Sequence, residues 1–265
     1  MPTIVALVKN VPDTWSTRTL AADFTLDREN VDNVIDEINE FAMEQALRLR
    51  DDNPDAGWRV VALTAGPAGS DEALRKALAM GADDAVHLQD ETLGGSDVIG
   101  TAWALHNAIN TIEDVQLIVT GAASSDGSMG ALPGILAEYR QQPALTSLSS
   151  ASVQGAEITA TRETNLGVYE LKANLPAVLS VGDKADKPRF PNFKGLKAAK
   201  KAEITTLDLA AIGVQPQQVG LDNAATMVRA AEDRPARTGG DVIHATDPGE
   251  AAGRIADYLA EQNLI

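Results

Sequence analysis

Apolar residues recur along this chain in two rhythms. Short unbroken runs, Thr3 to Val8, Trp58 to Thr64, Ala85 to Leu88 and Leu117 to Val119, have the pattern of strands buried on both faces. Between them, apolar positions return at helical spacing. Ala42, Met43, Ala46, Leu47 and Leu49 form one such set, Ala73 to Met80 a second, and Leu132, Ile135, Leu136 and Tyr139 a third. Asp97 opens another helix, running to about Asn110. Ser70 is placed to cap the second of these helices, and Gly81 to end it. This alternation predicts an α/β, doubly wound, mostly parallel sheet covered on both faces, with right-handed crossovers.

The rhythm changes near Pro143. Leu145 to Leu148, Ala151 to Val153, Glu157 to Arg162, Val168 to Ala173 and Ala177 to Val181 are short strand-like runs with polar turns, so added antiparallel strands in a mixed sheet are expected. Asp13 to Asn33 is polar and reads as a long loop or hairpin that Phe24, Leu26 and Val31 pin down. Asp208 to Ile212 suggests one more helical turn. Beyond Gly220 the periodicity is weak until Pro248 opens an amphipathic helix with Ala252, Ile255, Ala256 and Leu259. The expected organisation is a domain over 1–220, with a basic loop at about 184–201, and a C-terminal arm over 221–265.

One connection carries candidate chemistry. The apolar run ending at Val119 leads into Gly121, Ser124, Ser125, Asp126, Gly127, Ser128 and Gly130, and then into a helix. At the carboxyl edge of an open sheet this puts free backbone N–H groups and a helix N-terminus together, a setting for anions. The alternative is a tight connection with no ligand. Neither G-x-x-x-x-G-K-[ST] nor G-x-G-x-x-G is present. Lys9 and Asp13 flank the end of the first strand, either beside that ligand or as a loop ion pair. Asp36, Glu37 and Glu40 are accounted for by a helix dipole.

Composition narrows the choices. The 265 residues carry a formal net charge of −16 and no cysteine. General nucleic-acid binding needs a basic footprint and is not expected. Disulfides and thiolate-ligated metals are excluded. His87, His106 and His244 fall on separate predicted elements, so no metal site is expected. The start of the chain lacks the pattern of a secretory signal, and no run approaches the roughly 18 apolar residues of a membrane span. A cytoplasmic protein without membrane insertion is the expectation.

Against that acidic background, Lys184, Lys187, Arg189, Lys194, Lys197, Lys200 and Lys201 put seven positive charges within eighteen residues, opposed only by Asp186. Phe190, Phe193 and Leu196 are interleaved with them. Exposed aromatics among Arg and Lys suggest an interface; the alternative is a solvated face.

Several stretches together resemble the β subunit of electron transfer flavoprotein, the group that includes FixA. They are Lys9-Asn-Val-Pro-Asp13, Asn39-Glu-Phe-Ala-Met-Glu-Gln-Ala-Leu-Arg-Leu49, Arg75-Lys-Ala-Leu-Ala-Met-Gly-Ala-Asp83, Thr120-Gly-…-Ser124-Ser-Asp-Gly127 and Lys187-Pro-Arg-Phe-Pro-…-Lys194-Gly-Leu-…-Lys200-Lys201. The resemblance covers most of residues 1–205. It implies an adenine-nucleotide-binding (HUP-like) fold and a carrier subunit rather than an enzyme. It implies a structural AMP on this chain and an FAD held mainly by a partner α subunit. It implies electrons received from flavin dehydrogenases, such as acyl-CoA dehydrogenases, and passed towards a membrane quinone oxidoreductase. By motif the AMP contacts fall at Leu7, Asp36, Glu37, Ile38, Asn39, Ala65 and Gly121, Ala122, Ala123, Ser124, Ser125, Asp126, Gly127, Ser128 and Met129, with Lys9 beside them. Docking of dehydrogenases falls to Arg189, Phe190, Phe193, Lys194, Leu196 and Lys197.

The chain departs from the family pattern at Met129-Gly130-Ala131, at Thr14 and at Tyr169. The rival readings are an electron-bifurcating subunit with a second FAD in place of AMP, a universal-stress-type adenine-nucleotide-binding protein, and an ATP-cleaving pyrophosphatase. The last lacks its Ser-Gly-Gly-x-Asp-Ser-type loop here.

Overall fold

A computed structural model describes every residue except 233, 237, 238, 241 and 246, which lie in the expected arm. The chain divides into two units, Met1–Arg229 and Ala230–Ile265. The first contains twelve strands: β1 (Thr3–Leu7), β2 (Asn10–Pro12), β3 (Asn33–Ile35), β4 (Arg59–Ala65), β5 (Asp84–Leu88), β6 (Val115–Gly121), β7 (Ala144–Leu148), β8 (Ser150–Gln154), β9 (Glu157–Thr164), β10 (Gly167–Asn174), β11 (Ala177–Val181) and β12 (Thr205–Leu207). Its helices are α1 (Glu37–Asp51), α2 (Asp71–Met80), α3 (Val98–Asn110), α4 (Leu132–Arg140) and α5 (Phe193–Ala199). The second unit contains α6 (Pro248–Glu261), which leaves Ile255 and Tyr258 exposed.

Seven strands form one parallel sheet in the order β12-β5-β4-β1-β6-β11-β7. The period of two along β1 sends Ile4 and Ala6 to one core and Val5 and Leu7 to the other. The first core is closed by α1 and α2, through Met43, Leu47, Leu74 and Leu78; the second by α3 and α4, through Leu105, Ile109 and Leu136. Few aromatics are needed, because Ala, Val, Leu and Ile side chains fill both layers.

The antiparallel strands do not join this sheet. They form a separate three-stranded sheet, β10-β9-β8, because the turn at Ser149 leads β8 away from β7 and onto β9. The expected cap at Ser70 is not made: Ser70 is itself helical (φ −71°, ψ −9°), and its hydroxyl lies against Gly66 instead of the first turn of α2. Asp208 to Ile212 is a chain of turns that buries Leu209 and Ile212. Of the polar stretch from Asp13 to Asn33, residues 13–32 form a hairpin tip between the antiparallel β2 and β3, and Asn33 opens β3.

Strand order fixes where a ligand can sit. From β1 the chain moves to β4 and β5 on one side, then crosses to β6 on the other. The carboxyl ends of β1 and β6 therefore flank the switch point, where crossover helices diverge and leave a crevice.

Candidate functional site

Leu7, Ala65 and Gly121 end the three neighbouring strands β1, β4 and β6 at one edge of the sheet. The segments that follow β1 and β6 are tied to each other and to the start of α1. The Lys9 amide donates to Asn39 Oδ1 at 2.8 Å, and the Asp36 amide donates to the Lys9 carbonyl at 2.9 Å. Asp36 occupies the N-cap position of α1 but makes no side-chain cap; its carboxylate accepts the Ser125 amide at 2.8 Å. Ile38 packs close to Gly121, where an added Cβ would stand 2.7 Å from Ile38 Cγ2 and 2.8 Å from Asn39 Nδ2. Glu37 points outward in the first turn of α1.

Asp126 is the electrostatic centre. Its carboxylate is 1% exposed and accepts Lys9 Nζ at 2.8 Å on one oxygen and Arg28 Nη2 on the other. Burial pushes this carboxyl up, but the charge and hydrogen bond of Lys9, with the bonds from Arg28 and Ser124, outweigh it and hold it well below the usual range. Asp36 goes the other way: burial raises it, the Ser125 amide lowers it, and the Asp126 charge adds to the rise. Lys9 thus pairs with Asp126 and not with Asp13. Arg18 adds a hydrogen bond from Nη1 to the Ser125 carbonyl at 2.6 Å. Neither Arg18 nor Arg28 stands out in the sequence; the only available signal was two cations in an otherwise acidic hairpin.

The loop that results retains donors. Ser124 Oγ accepts the Gly127 amide and the Ser124 carbonyl accepts the Ser128 amide. Among the described residues, the amides of Asp126, Met129 and Gly130 have no acceptor within the chain, and the buried Ser125 hydroxyl has no partner. Helix α4 has Ala131 at its N-cap and so no side-chain cap. Three cations, Lys9, Arg18 and Arg28, against the two carboxylates Asp36 and Asp126, with free amides and an open helix start, suit one anionic group. The small side chains at Ala122 and Ala123 leave the backbone approachable.

His87 hydrogen-bonds the Gly66 carbonyl, and His106 stacks on Trp103. Among the described residues no cluster of His, Asp and Glu could hold a metal, and no helix is long and apolar enough to cross a membrane.

The residues of the basic segment separate into two groups. Phe190 is 95% and Phe193 83% exposed, with Lys194, Leu196 and Lys197 exposed beside them. Arg189 is turned inward, onto Glu44 and Asp51 of α1.

The family model for the electron transfer flavoprotein domain matches residues 23–212. Electron transfer flavoprotein subunit beta of Mycobacterium tuberculosis is 52% identical, with both chains covered completely. The chain belongs to the electron transfer flavoprotein β-subunit family. Its members are electron-carrier subunits rather than enzymes. Two more distant relatives span nearly the whole chain as well. The caffeyl-CoA reductase-Etf complex subunit CarD of Acetobacterium woodii is 30% identical over 99% of both chains. Protein FixA of Azotobacter vinelandii is 31% identical over 98% of this chain and 95% of its own. The match of an electron transfer flavoprotein domain places flavin chemistry in the assembly this subunit serves, and a β subunit implies an α partner.

Proposed function

We propose that this β subunit holds one AMP at the switch point of its sheet and pairs with an α subunit that carries most of the FAD. The observation that carries the AMP reading is the Asp126 cluster. Lys9 and Arg28 clamp Asp126, and the Asp36–Ser125 bond fixes the loop, so the unpaired amides that follow stand ready before any ligand arrives. A net excess of one cation suits a monophosphate better than a Mg-triphosphate, which calls for a P-loop lysine. The adenosine end falls towards Leu7, Ala65 and Asn39. When bound, FAD supplies the redox chemistry; this chain's residues hold the nucleotide and meet partners.

Gly130 has a φ of +66°, which strains a residue with a side chain; the resemblance implies an alanine at this place in electron-bifurcating members, so we take Gly130 to favour AMP over a second FAD. Donor dehydrogenases of the acyl-CoA type dock on Phe190, Phe193 and Leu196, and a membrane quinone oxidoreductase accepts the electrons. The basic rim of Lys194 and Lys197 fits an acidic partner surface. The amphipathic α6 supplies the arm that holds the α subunit, through Ile255 and Tyr258. The setting proposed is the cytoplasm.

The deciding experiment is co-expression with the α subunit, purification, denaturation and mass identification of released nucleotides. About one AMP and one FAD per heterodimer is expected. Two FAD and no AMP would establish the bifurcating reading, and a stable homodimer with adenine nucleotide but no flavin the universal-stress reading.

A further inference from the structure

Arg189 makes an unusual set of contacts for a residue of a basic surface segment. Its backbone amide donates to Glu44 Oε2 at 3.0 Å, Nε donates to the same oxygen at 2.7 Å, and Nη2 donates to Glu44 Oε1 at 3.1 Å. Nη1 donates to Asp51 Oδ2 at 2.9 Å. Arg48 completes the set, with Nε 3.1 Å from Glu44 Oε1 and 3.3 Å from Asp186 Oδ2. The Glu44 side chain is 4% exposed. One buried carboxylate therefore fixes the side chain of Arg189 and also the path of the backbone one residue before Phe190.

The far end of the segment is fixed independently. Arg75 Nη1 donates to the carbonyls of Ala199 and Ala202 at 2.8 and 2.6 Å. Asn192 caps α5 through the Gly195 amide at 2.8 Å. A Cβ on Gly195 would stand 2.5 Å from the Ala79 carbonyl oxygen, so α5 lies directly on the end of α2. Between these two fixings, Phe190, Phe193 and Leu196 project into solvent. Holding large apolar groups out in water does nothing for folding. It does serve binding, since a loop already ordered has less entropy to lose when a partner arrives.

We propose that Glu44, through Arg189, is a positioning residue for partner docking: it sets Phe190 and Phe193 in their docking arrangement before encounter. A hydrophobic pair at this place would stabilise the fold as well as the ion pair does. A hydrophobic pair cannot fix guanidinium and backbone together, whereas Glu44 Oε2 accepts both the Arg189 amide and Nε, and Oε1 accepts Nη2. This inference rests on the reading of residues 184–201 as a docking segment.

The test is a double-mutant cycle in the purified heterodimer, with Phe193→Ala, Glu44→Gln and both together. The dehydrogenase KM for the carrier and its kcat are measured for each, with amide exchange of residues 190–199. Glu44→Gln should raise KM roughly tenfold, by analogy with the ordering cost of a few interface side chains. It should leave kcat and nucleotide content unchanged and speed exchange in the segment. The double variant should fall short of the sum of the two single effects, because the displaced mount then has only Phe190 left to misplace. Glu44→Asp should recover part of the loss. If Glu44→Gln does not fold, Asp51→Asn removes the outer contact of Arg189 and should raise KM to a smaller extent. A KM change for Phe193→Ala with none for the mount variants overturns the positioning role, as does strict additivity or parallel loss of nucleotide. No KM change for Phe193→Ala overturns the docking reading itself.

Discussion

The Asp36 carboxylate accepts the amide of Ser125, 89 residues further along the chain, at 2.8 Å. Asp36 stands at the N-cap of α1, where an aspartate ordinarily accepts from its own helix and stabilises it by about 1 kcal/mol. Here that bond is diverted across the sheet edge. The exchange makes the start of α1 and the loop after β6 a single unit, joined also through Asn39 to Lys9. The loop after β6 is thus shaped by contacts within the scaffold.

The two carboxylates of this unit should shape acid stability in opposite senses. Asp126 is held below its ordinary value of 3.8, so it adds stability above that value and loses it as pH falls. Asp36 is raised, so its ionised form costs stability that is recovered as pH falls. We expect Asp126→Asn to cost about 1–3 kcal/mol at pH 7, discounted because Lys9 and Arg28 are partly exposed, and to flatten the acid limb. Urea midpoints from pH 7 to pH 3 check this; a variant whose limb stays parallel to the wild type would show that Asp126 does not set it.

Gly121→Ala should disturb the site by crowding rather than charge. Its Cβ would meet Ile38 Cγ2 at 2.7 Å and Asn39 Nδ2 at 2.8 Å. Asn39 must then release the Lys9 amide. A loss of about 1–3 kcal/mol is expected for overpacking of this kind, with lower nucleotide content in the purified protein. Thermal unfolding and nucleotide assay measure both; unchanged nucleotide at reduced stability would place the ligand away from this edge.

What the sequence made legible follows the range of the interactions. Apolar rhythm located β1, β4, β6 and α1, because burial on a sheet imposes its period locally. Lys9 is legible at the strand end because it follows a buried run, and Asp126 is legible in the loop after β6, but their pairing is not, since they lie 117 residues apart. Glu44 looked like one more polar position on α1, and its link to Arg189 spans 145 residues. Helix α5 is hidden for another reason. Its seven residues include two lysines and a glycine and are too few to show a period, and the contact that seats it, the approach of Gly195 to Ala79, is tertiary. Arg18 and Arg28 sit in a hairpin tip with no period to read.

A third expectation concerns His106. Arg140 Nη1, which can only donate, binds Asn110 Oδ1 at 2.7 Å. The Asn110 amide nitrogen then faces His106 Nε2 at 3.1 Å, so that ring nitrogen accepts and Nδ1 carries the proton. Burial, then the Arg140 charge, lowers the imidazole pKa from 6.5. A lowered histidine gives stability that is complete above 6.5 and is lost as pH falls towards the folded value. His106→Phe keeps a ring against Trp103 and should flatten the fall in Tm between pH 7.5 and 5.5. An unchanged slope would assign it to other groups.

The last expectation separates encounter from docking. Among the described residues, Lys194 and Lys197 form no ion pair and flank Phe193 on an exposed helix. Free cations around an apolar tip raise the rate at which an acidic partner arrives, while the tip itself sets how long it stays. Lys194→Glu with Lys197→Glu should therefore slow reduction by a dehydrogenase at limiting carrier most strongly at low ionic strength. The difference should shrink as salt shortens the Debye length from about 30 Å at 0.01 M to about 8 Å at 0.15 M. Phe193→Ala should behave differently. Truncating an interface aromatic costs about 2 kcal/mol, roughly thirtyfold in affinity, and that loss should persist at every salt concentration. Bound nucleotide and flavin content should be the same in all variants, because none of these side chains bonds to Lys9, Asp36 or the loop after β6. Stopped-flow reduction of the heterodimer across a salt series measures both effects. If the charge-reversed variant shows the same salt dependence as the wild type, the encounter is steered by another face of the chain.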